Sequence, residues 1–359
     1  MRLRETQKIV LPPTADMHVH LRQGEMMKLV TPSIRRGGVD TVFVMPNLQP
    51  PIRTVERALE YKSDLQSIEP DVTYLMSLYF HAELTPNVVA EAAKAGLAGI
   101  KVYPQGVTTN SDAGVASLDG FDDIFEAMQQ HDLVLNLHGE VVGTPAQGLT
   151  HEEAFLPTLK SIHAKFPKLR IVLEHCSTAA AIEAVRGCGP SVGATITAHH
   201  LYLTGDMSNV DPHAFCKPIP KTPEDRDALL KAATSGDSKF FFGTDSAPHP
   251  LASKSAQGMA PPAGVFTQPY ATQLVLRAFE EATERGIVAE SDVTREKLEG
   301  FFNKFGRAFY KLDDNSVNGP KIVLERKGEK IPTSIQGEEG LEVGISRSGD
   351  EVFSLRWEK

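Results

Sequence analysis

Cysteine is scarce in this chain. Only Cys176, Cys188 and Cys216 occur among 359 residues. So small and odd a number over this length argues against the disulfide framework that stabilises many secreted domains. We therefore expect free thiols and a cytoplasmic protein.

Two further absences narrow the class of protein. No apolar run reaches the length of a membrane span, and the opening MRLRETQKIVLPPTAD lacks the apolar core and cleavage site of a secretory signal. Basic residues are also in deficit, because 37 Lys and Arg stand against 46 Asp and Glu, a formal net charge of −9. This balance does not favour nucleic acid or an anionic membrane as the main partner. We expect neither.

The chain does contain a repeated order of short apolar runs and helical segments. There are eight such runs, and most of them lack a clean alternation of polar and apolar residues over their first few positions, which is typical of parallel strands covered on both faces. Segments with helical spacing separate them, such as TVERALEYKSDLQSI with Thr54 as its N-cap. The order predicts an α/β fold, a (β/α)8 TIM barrel. The runs are ADMHVHL, TVFVMPN, TYLMSLYF, GIKVYP, LVLNLHGE, RIVLEHCS, GATITAHH and KFFFGTDS.

The alternative fold is a doubly wound open sheet. It would show a glycine-rich phosphate turn after the first strand, and HLRQGEM is a poor match to that turn. We expect one barrel domain over residues 1–359, with its core at about 14–310 and a short C-terminal extension at about 311–359. After the eighth run, APHPLASKSAQGMAPPAGVFTQP predicts a loop, and TREKLEGFFNKFGRAFY predicts a helix.

Polar residues collect where the apolar runs end. In a parallel barrel the carboxyl ends of all strands line one mouth, where active sites lie. A lone histidine there is more often structural, and the pair His18 and His20, on one side of a strand, leaves both a ligand and a core role open. Four histidines and one aspartate at four strand ends predict a metal site, and their number suggests two ions. They are His18, His20, His138, His175 and Asp245.

Lys101 lies inside the fourth run among apolar neighbours. An ammonium beside two dications is disfavoured, so we expect its pKa to fall. The neutral amine can then add carbon dioxide and become a carbamate, whose two oxygens can bridge two metals. The alternative is a structural lysine that reaches solvent, and composition alone favours that alternative.

A set of stretches carries a family resemblance. They are DMHVHLRQGEM, VMPNLQPP, KVYPQGVTTNSDAGV, LNLHGE, VLEHCST, ITAHHL, FCKPIPK and FFFGTDSAPH. In this order they resemble the dihydroorotase family of the amidohydrolase superfamily, in its compact stand-alone form. The resemblance runs from about Asp16 to Tyr310, and the full set is far more specific than His-x-His alone.

The resemblance implies a (β/α)8 barrel that holds two zinc ions per subunit. Lys101 is implied to be carboxylated by carbon dioxide on its side-chain nitrogen and to bridge the two ions. The implied ligands are His18, His20, Lys101 and Asp245 for one zinc, and Lys101, His138 and His175 for the other.

The resemblance also implies contacts with a small-molecule substrate, N-carbamoyl-L-aspartate or L-dihydroorotate. The implied contacts are Arg22, Asn47 and His249 for the carboxylate, the backbone of Lys217 and Ala263 for the ring amides, Thr108 and Thr109 from a loop that closes, and His138. Two positions depart from the family pattern. Lys217 stands where the family commonly has an apolar residue, and SKSAQGMAPPAGVF differs from bacterial forms, so Ala263 is aligned on AGVF.

Three neighbouring residues are expected to stay outside the ligand set. Adjacent strand residues face opposite sides, so Cys176 should face away if His175 faces the metals. For His199 and His200 we expect a supporting or packing role rather than ligation.

The implied reaction is a reversible ring closure in pyrimidine biosynthesis, in which carbamoyl aspartate gives dihydroorotate and water. In the hydrolytic direction, a hydroxide between the zincs attacks the ring amide carbon, and Asp245 moves the proton to the leaving nitrogen. The alternatives are another cyclic-amide hydrolase, such as a hydantoinase or allantoinase, and a non-catalytic barrel scaffold. Arg22, Asn47 and His249 favour dihydroorotate, and the filled ligand positions argue against a scaffold. The family also suggests a homodimer.

Overall fold

The computed structural model describes residues 1–256 and 260–358. Its strands are β1 (Lys8–Leu11), β2 (Thr14–Val19), β3 (Val39–Val44), β4 (Thr73–Leu75), β5 (Ser77–Tyr79), β6 (Gly99–Val102), β7 (Val134–His138), β8 (Ile171–Glu174), β9 (Val192–Ile196), β10 (Phe240–Phe242), β11 (Lys321–Lys330), β12 (Ser334–Gln336), β13 (Glu342–Gly344) and β14 (Glu351–Glu358). Its α-helices are α1 (Gly24–Val30), α2 (Ser33–Arg36), α3 (Val55–Ile68), α4 (Pro86–Lys94), α5 (Asp122–Gln130), α6 (His151–Lys165), α7 (Ala179–Gly187), α8 (Gly205–Val210), α9 (Pro223–Ala233), α10 (Leu251–Lys254), α11 (Ala271–Glu284), α12 (Arg295–Glu299) and α13 (Phe305–Phe309).

Strands β2 to β10 form a closed parallel barrel. β2, β3 and β4 pair in that order, and β5 to β10 pair in sequence. β4 and β5 are two halves of one strand interrupted at Met76, so the barrel has eight strand positions. Val19 pairs with Ser246, and the Asp245 amide donates to the His18 carbonyl at 2.8 Å. These bonds close the barrel, confirm the predicted architecture and bring the ends of β2 and β10 side by side.

Threonine side chains begin the helices that cover the barrel. In each case the hydroxyl accepts a hydrogen bond from a backbone N–H in the first turn, which satisfies a donor that the helix leaves free. The capping residues are Thr54, Thr85, Thr150, Thr178, Thr222 and Thr294. The helix predicted after Thr54 accordingly begins at Val55. Within the described ranges, no helix combines the length and the apolar character needed to cross a membrane.

One local prediction needs correction, and a second is confirmed with an added detail. The stretch after the eighth strand contains one helical turn, α10, and residues 257–259 of that stretch lie outside the described residues. The helix predicted over TREKLEGFFNKFGRAFY is interrupted by a π-helical turn at Gly300–Lys304. The Phe305 ring packs onto Gly300, where an added Cβ would lie 2.3 Å from the ring. That close approach requires glycine.

The C-terminal segment forms an antiparallel sheet with the start of the chain. β11, which contains the strand-like KIVLERK, pairs with β1 on one side and β14 on the other. The Trp357 indole N–H donates to the Arg35 carbonyl at 2.9 Å, and the Arg35 guanidinium stacks 3.2 Å from the centre of its ring. These contacts fasten β14 to α2 at the barrel surface.

Candidate active site

One pocket opens at the carboxyl ends of the barrel strands. It combines side chains from strand ends with three segments, around residues 108, 217 and 263. Every site residue predicted from the sequence lines it, except Lys101 and His249. The lining residues are His18, His20, Arg22, Asn47, Tyr103, Thr108, Thr109, His138, His175, Lys217, Asp245, Ala247, Ala263 and Gly264.

Lys101 and His249 lie beside residues that line the pocket. The Lys101 Nζ is 5.4 Å from the centre of the Tyr103 ring, and the residue is fully buried. His249 Nε2 donates to the Ala263 carbonyl at 2.9 Å and lies 3.2 Å from Arg22 Nη2. The structure therefore brings the whole predicted set into one neighbourhood.

Two histidines and one carboxylate converge at the end of β2. His18 Nε2 and His20 Nε2 lie 3.3 Å and 3.2 Å from the same Asp245 carboxylate oxygen. One ligand atom from each of the three residues lies within 4.8 Å of the others. All three side chains are buried, so an arrangement of this kind has the donor atoms and the spacing of a metal site.

The other ring nitrogens of these histidines are held by polar neighbours. His18 Nδ1 lies 2.8 Å from Glu174 Oε2, and His20 Nδ1 lies 2.8 Å from Asn47 Oδ1. Both acceptors take a proton on Nδ1, so Nε2 is the nitrogen of each ring that faces Asp245. Such partners commonly fix the tautomer and the ring orientation of metal-binding histidines.

His138 is held through its other ring nitrogen, Nε2 rather than Nδ1. Its Nε2 lies 2.8 Å from Glu140 Oε2, so Nδ1 is the nitrogen that remains for a ligand. The His138 and His175 rings meet edge to face with their centroids 4.6 Å apart. Among the described residues, neither His175 Nδ1 nor Lys101 Nζ has a hydrogen-bond partner, although both atoms are buried. Buried polar atoms without partners are rare, and a bound metal or a carbamate on Lys101 would provide them.

Burial favours the neutral form of Lys101, His20 and His175. It lowers the pKa of Lys101 to about 8 and that of His20 to about 4. Burial, with the charges of His138 and Lys101, also takes the pKa of His175 well below its ordinary value. Metals bind neutral imidazole, and carbon dioxide adds to neutral amines, so these residues fit a metal centre with a modified lysine.

Asp245 behaves differently from the bases. Burial acts to raise the pKa of its carboxyl, but hydrogen bonds from His18 and His20 hold that pKa well below its usual range. An ionised Asp245 can serve as a metal ligand and as a proton acceptor.

Three residues of the site have a left-handed backbone. The φ angles are 58° at Arg22, 41° at His175 and 45° at Asp245. This region is uncommon for residues other than glycine and costs conformational energy. Each residue follows the end of a barrel strand, where the chain turns and the side chain can be aimed into the mouth. Strain at three such positions is characteristic of a functional site.

Arg22 and Asn47 line the same pocket and are held by neighbouring segments. The Arg22 Nε donates to the Pro248 carbonyl at 3.0 Å, which fixes the guanidinium beside His249. The Asn47 side chain accepts from His20 and donates to the Thr109 carbonyl at 3.0 Å. Asn47 thus orients a candidate ligand and holds the 105–114 loop, a double task that the sequence does not reveal.

The 105–114 loop is bonded to two segments that line the pocket. The Thr109 hydroxyl donates to the Ala263 carbonyl at 3.1 Å, and the Asn110 side chain donates to the Asn47 carbonyl at 2.9 Å. Thr108 lines the pocket, and its amide is bonded within the loop to Ser111. These bonds join the loop to both walls of the pocket.

The remaining histidines and cysteines do not line the pocket. Cys176 lies in the apolar core, with its thiol 3.8 Å from the Leu173 carbonyl. His200 Nε2 donates to the Pro218 carbonyl at 3.0 Å, and the Cys216 thiol donates to the same carbonyl at 3.4 Å. His199 is fully buried beside His200. His200 and Cys216 therefore brace the segment that carries Lys217.

Glu174, Glu140 and Tyr103 are functional candidates that sequence reasoning missed. The two glutamates hold His18 and His138, and Tyr103 lines the pocket. Each lies one or two residues from a predicted site residue, in the stretches EHC, HGE and KVY. That proximity was the available signal, because a carboxylate beside a histidine at a strand end can orient another ligand.

Comparisons with known proteins show the family of the chain. Residues 82–257 match the Amidohydrolase family. The probable dihydroorotase of Schizosaccharomyces pombe is 49% identical over 328 residues, which cover 90% of this chain and 93% of that protein. The dihydroorotase of Saccharomyces cerevisiae is 44% identical over 372 residues, which cover 98% of this chain and 99% of that protein.

A solved structure extends the similarity to three dimensions. The crystal structure of dihydroorotase from Saccharomyces cerevisiae, in complex with 5-fluoroorotic acid, matches with a TM-score of 0.89 at 44% identity. The match covers 98% of this chain and 99% of that one. With such identity over nearly its full length, the chain belongs to the dihydroorotase family of amidohydrolases, enzymes that act on a cyclic amide.

Proposed function

We propose that the pocket interconverts N-carbamoyl-L-aspartate and L-dihydroorotate with two zinc ions. The observation that carries this proposal is the convergence of four imidazoles, one carboxylate and a buried amine beside the Arg22 guanidinium. Imidazole and carboxylate are ligands that suit zinc, and guanidinium suits a substrate carboxylate. The 5-fluoroorotic acid in the yeast complex is likewise a pyrimidine ring that carries a carboxylate.

The proposed ligands form two overlapping sets that share a carboxylated Lys101. One set is His18, His20, Lys101 and Asp245, and the other is Lys101, His138 and His175. Lys101 Nζ and His175 Nδ1, both buried without a hydrogen-bond partner among the described residues, support this assignment. When bound, zinc supplies a hydroxide near neutral pH and a Lewis acid for the amide carbonyl.

We assign substrate binding to the pocket residues outside the ligand sets and to the 105–114 loop. Arg22, Asn47 and His249 take the carboxylate, and the backbones of Lys217 and Ala263 take the ring amide groups. Closure by the loop of Thr108 and Thr109 excludes water and orients the flexible acyclic substrate. The bonds from that loop to Asn47 and Ala263 support this assignment, because they link closure to both substrate contacts. His138 also lines the pocket, and we assign it a contact with the substrate.

Asp245 is the proposed proton carrier. The leaving amide nitrogen needs a proton to depart as a neutral group. One carboxylate can accept a proton in the first half of the reaction and deliver it in the second, because it is regenerated each turn. The position of Asp245 in the pocket, within reach of His18 and His20, supports this role.

A turnover assay tests the proposed function. Purified protein is incubated with L-dihydroorotate, with and without a chelator, and carbamoyl aspartate is measured. We expect turnover that the chelator abolishes and added zinc restores. Absence of turnover in protein shown to contain metal overturns the proposal. Faster turnover of hydantoin or allantoin would instead assign the site to another cyclic-amide hydrolase.

We also propose a cytoplasmic location and a homodimer. The three cysteines form no disulfide, which supports a reducing compartment. The homodimer rests on the family resemblance, and sedimentation at several protein concentrations tests it. A monomer throughout would refute it.

A further inference from the structure

Lys254 is a buried lysine that bonds to carbonyls rather than to a carboxylate. It ends helix α10, and it is 6% exposed. Its Nζ donates to the Phe215 carbonyl at 3.0 Å and to the Pro262 carbonyl at 2.9 Å. Across residues 1–256 and 260–358, it forms no ion pair.

The two carbonyls belong to segments that enter the pocket. Phe215 lies two residues before Lys217, and Pro262 immediately precedes Ala263. The Gly264 amide donates to the same Phe215 carbonyl at 3.0 Å, so the two segments are joined directly as well. Lys254 therefore bridges the two stretches of backbone that flank the substrate pocket.

A purely structural role explains this arrangement poorly. Burial of an ammonium without an anion costs free energy, and a methionine of similar length would fill the space without that cost. Hydrogen bonds from a charged donor are short and directional, so they hold two carbonyls at a fixed separation better than apolar packing does. The charge of Lys254 therefore indicates that the separation of the Phe215 and Pro262 carbonyls has to be held accurately.

We propose that Lys254 is a positioning residue that sets the spacing between the Lys217 and Ala263 backbones for the substrate ring. It acts through the Phe215 and Pro262 carbonyls and does not touch substrate. The inference rests on the proposed function, which assigns ring contacts to those backbones. A wrong spacing should weaken binding of the ring more than it slows the chemical step.

The experiment compares three variants of the zinc-loaded enzyme with the wild type. Lys254→Met removes the donors and keeps the length, and Lys254→Arg keeps charged donors. Lys239→Met is the matched control. The Lys239 Nζ also donates to several backbone carbonyls, among them that of Gly189 at 2.7 Å, but Lys239 precedes β10 at the amino end of the barrel. The readouts are KM and kcat for dihydroorotate, zinc content, and the rise in Tm that dihydroorotate causes.

We expect Lys254→Met to raise KM about tenfold or more, as loss of charge-assisted hydrogen bonds predicts. The rise in Tm with dihydroorotate should shrink, kcat should change less than KM, and zinc content should stay the same. Lys254→Arg should recover part of the loss, and Lys239→Met should lower Tm without a change in KM.

Two results overturn the inference. One is a KM for Lys254→Met equal to that of the wild type, and the other is a similar rise in KM for Lys239→Met. If Lys254→Met does not fold, Lys254→Gln replaces it in the same comparison. Inactive wild-type enzyme would mark failure of the proposed function, whereas an active wild type with an unchanged variant marks failure of this inference alone.

Discussion

The two ends of the barrel interior use the same strands for opposite purposes. Toward the amino ends, a cluster of buried apolar side chains fills the interior, with Phe43, Val134, Val172 and Phe241 fully buried. At the carboxyl ends, those strands and their neighbours carry imidazole, carboxylate and amide groups. The apolar end is closely packed, whereas the polar end holds three site residues with left-handed backbone and the buried, unpartnered Lys101 Nζ and His175 Nδ1. Stability at one end offsets the cost of the chemistry at the other.

Strand β7 passes from the apolar end of the barrel to the polar end within five residues. Val134, Asn136 and His138 alternate along the strand and so share one face. Val134 belongs to the apolar cluster, and His138 lines the pocket. Between them, the Asn136 amide donates to Glu174 at 2.7 Å and to the Tyr310 hydroxyl at 2.6 Å. The middle layer thus connects the packed end to the residues that orient the candidate ligands.

The largest effect is expected at the polar end. Asp245→Asn should lower kcat for dihydroorotate about 10²–10⁴-fold, the range for loss of a general acid–base group. Asparagine tolerates the left-handed backbone of this position, where φ is 45°. We therefore expect an unchanged fold, checked by Tm and circular dichroism beside steady-state kinetics. Turnover close to that of the wild type would refute the role of Asp245.

At the apolar end, a substitution should lower the free energy of unfolding rather than kcat. Phe241 is fully buried, and its ring packs 5.4 Å from that of Phe309. Phe241→Ala should lower the free energy of unfolding by about 3–5 kcal/mol through the cavity it leaves. Denaturant titration measures this, and kcat per folded molecule should stay constant. A large loss of kcat with an unchanged free energy of unfolding would contradict the assignment of stability to the apolar end and of catalysis to the polar end.

A substitution in the layer of Asn136 and Glu174, between the two ends, should have an effect of intermediate size. Glu174→Gln replaces the charged acceptor of His18, and we expect metal affinity to fall about 10–100-fold, as for other partners of metal-binding histidines. Competition with a chromophoric chelator measures this on the metal-free protein. Glu280→Gln is the control, because Glu280 is likewise buried but lies on α11. Equal metal affinity in both variants would contradict the role of Glu174.

The sequence could predict the barrel and most of the pocket for one physical reason. Parallel strands bring their carboxyl ends together, so the ends of eight apolar runs mark the mouth before any contact is known. His18, His175 and Asp245 could be found in this way, and the structure brings them together.

Other features depend on contacts that no local pattern encodes. Glu174 matters because His18, 156 positions away in the chain, lies 2.8 Å from it. Helix α10 is a single turn, too short for its spacing to show, so the bonds of Lys254 could not be anticipated. The π-helical turn likewise follows from the packing of Phe305 onto Gly300.

The smallest effect is expected at the loop that covers the polar end. Thr109→Ala removes one hydrogen bond, from the Thr109 hydroxyl to the Ala263 carbonyl, and leaves the bond from Asn47 to the Thr109 carbonyl. One such bond contributes about 0.5–1.5 kcal/mol, so kcat/KM should fall about 2- to 12-fold. Because an enzyme cannot shift an equilibrium, the fall should be equal in both directions, with metal content unchanged. Thr109→Ser keeps the hydroxyl and should restore most activity; if it does not, or if metal is lost, the loop acts through the metal centre rather than through closure.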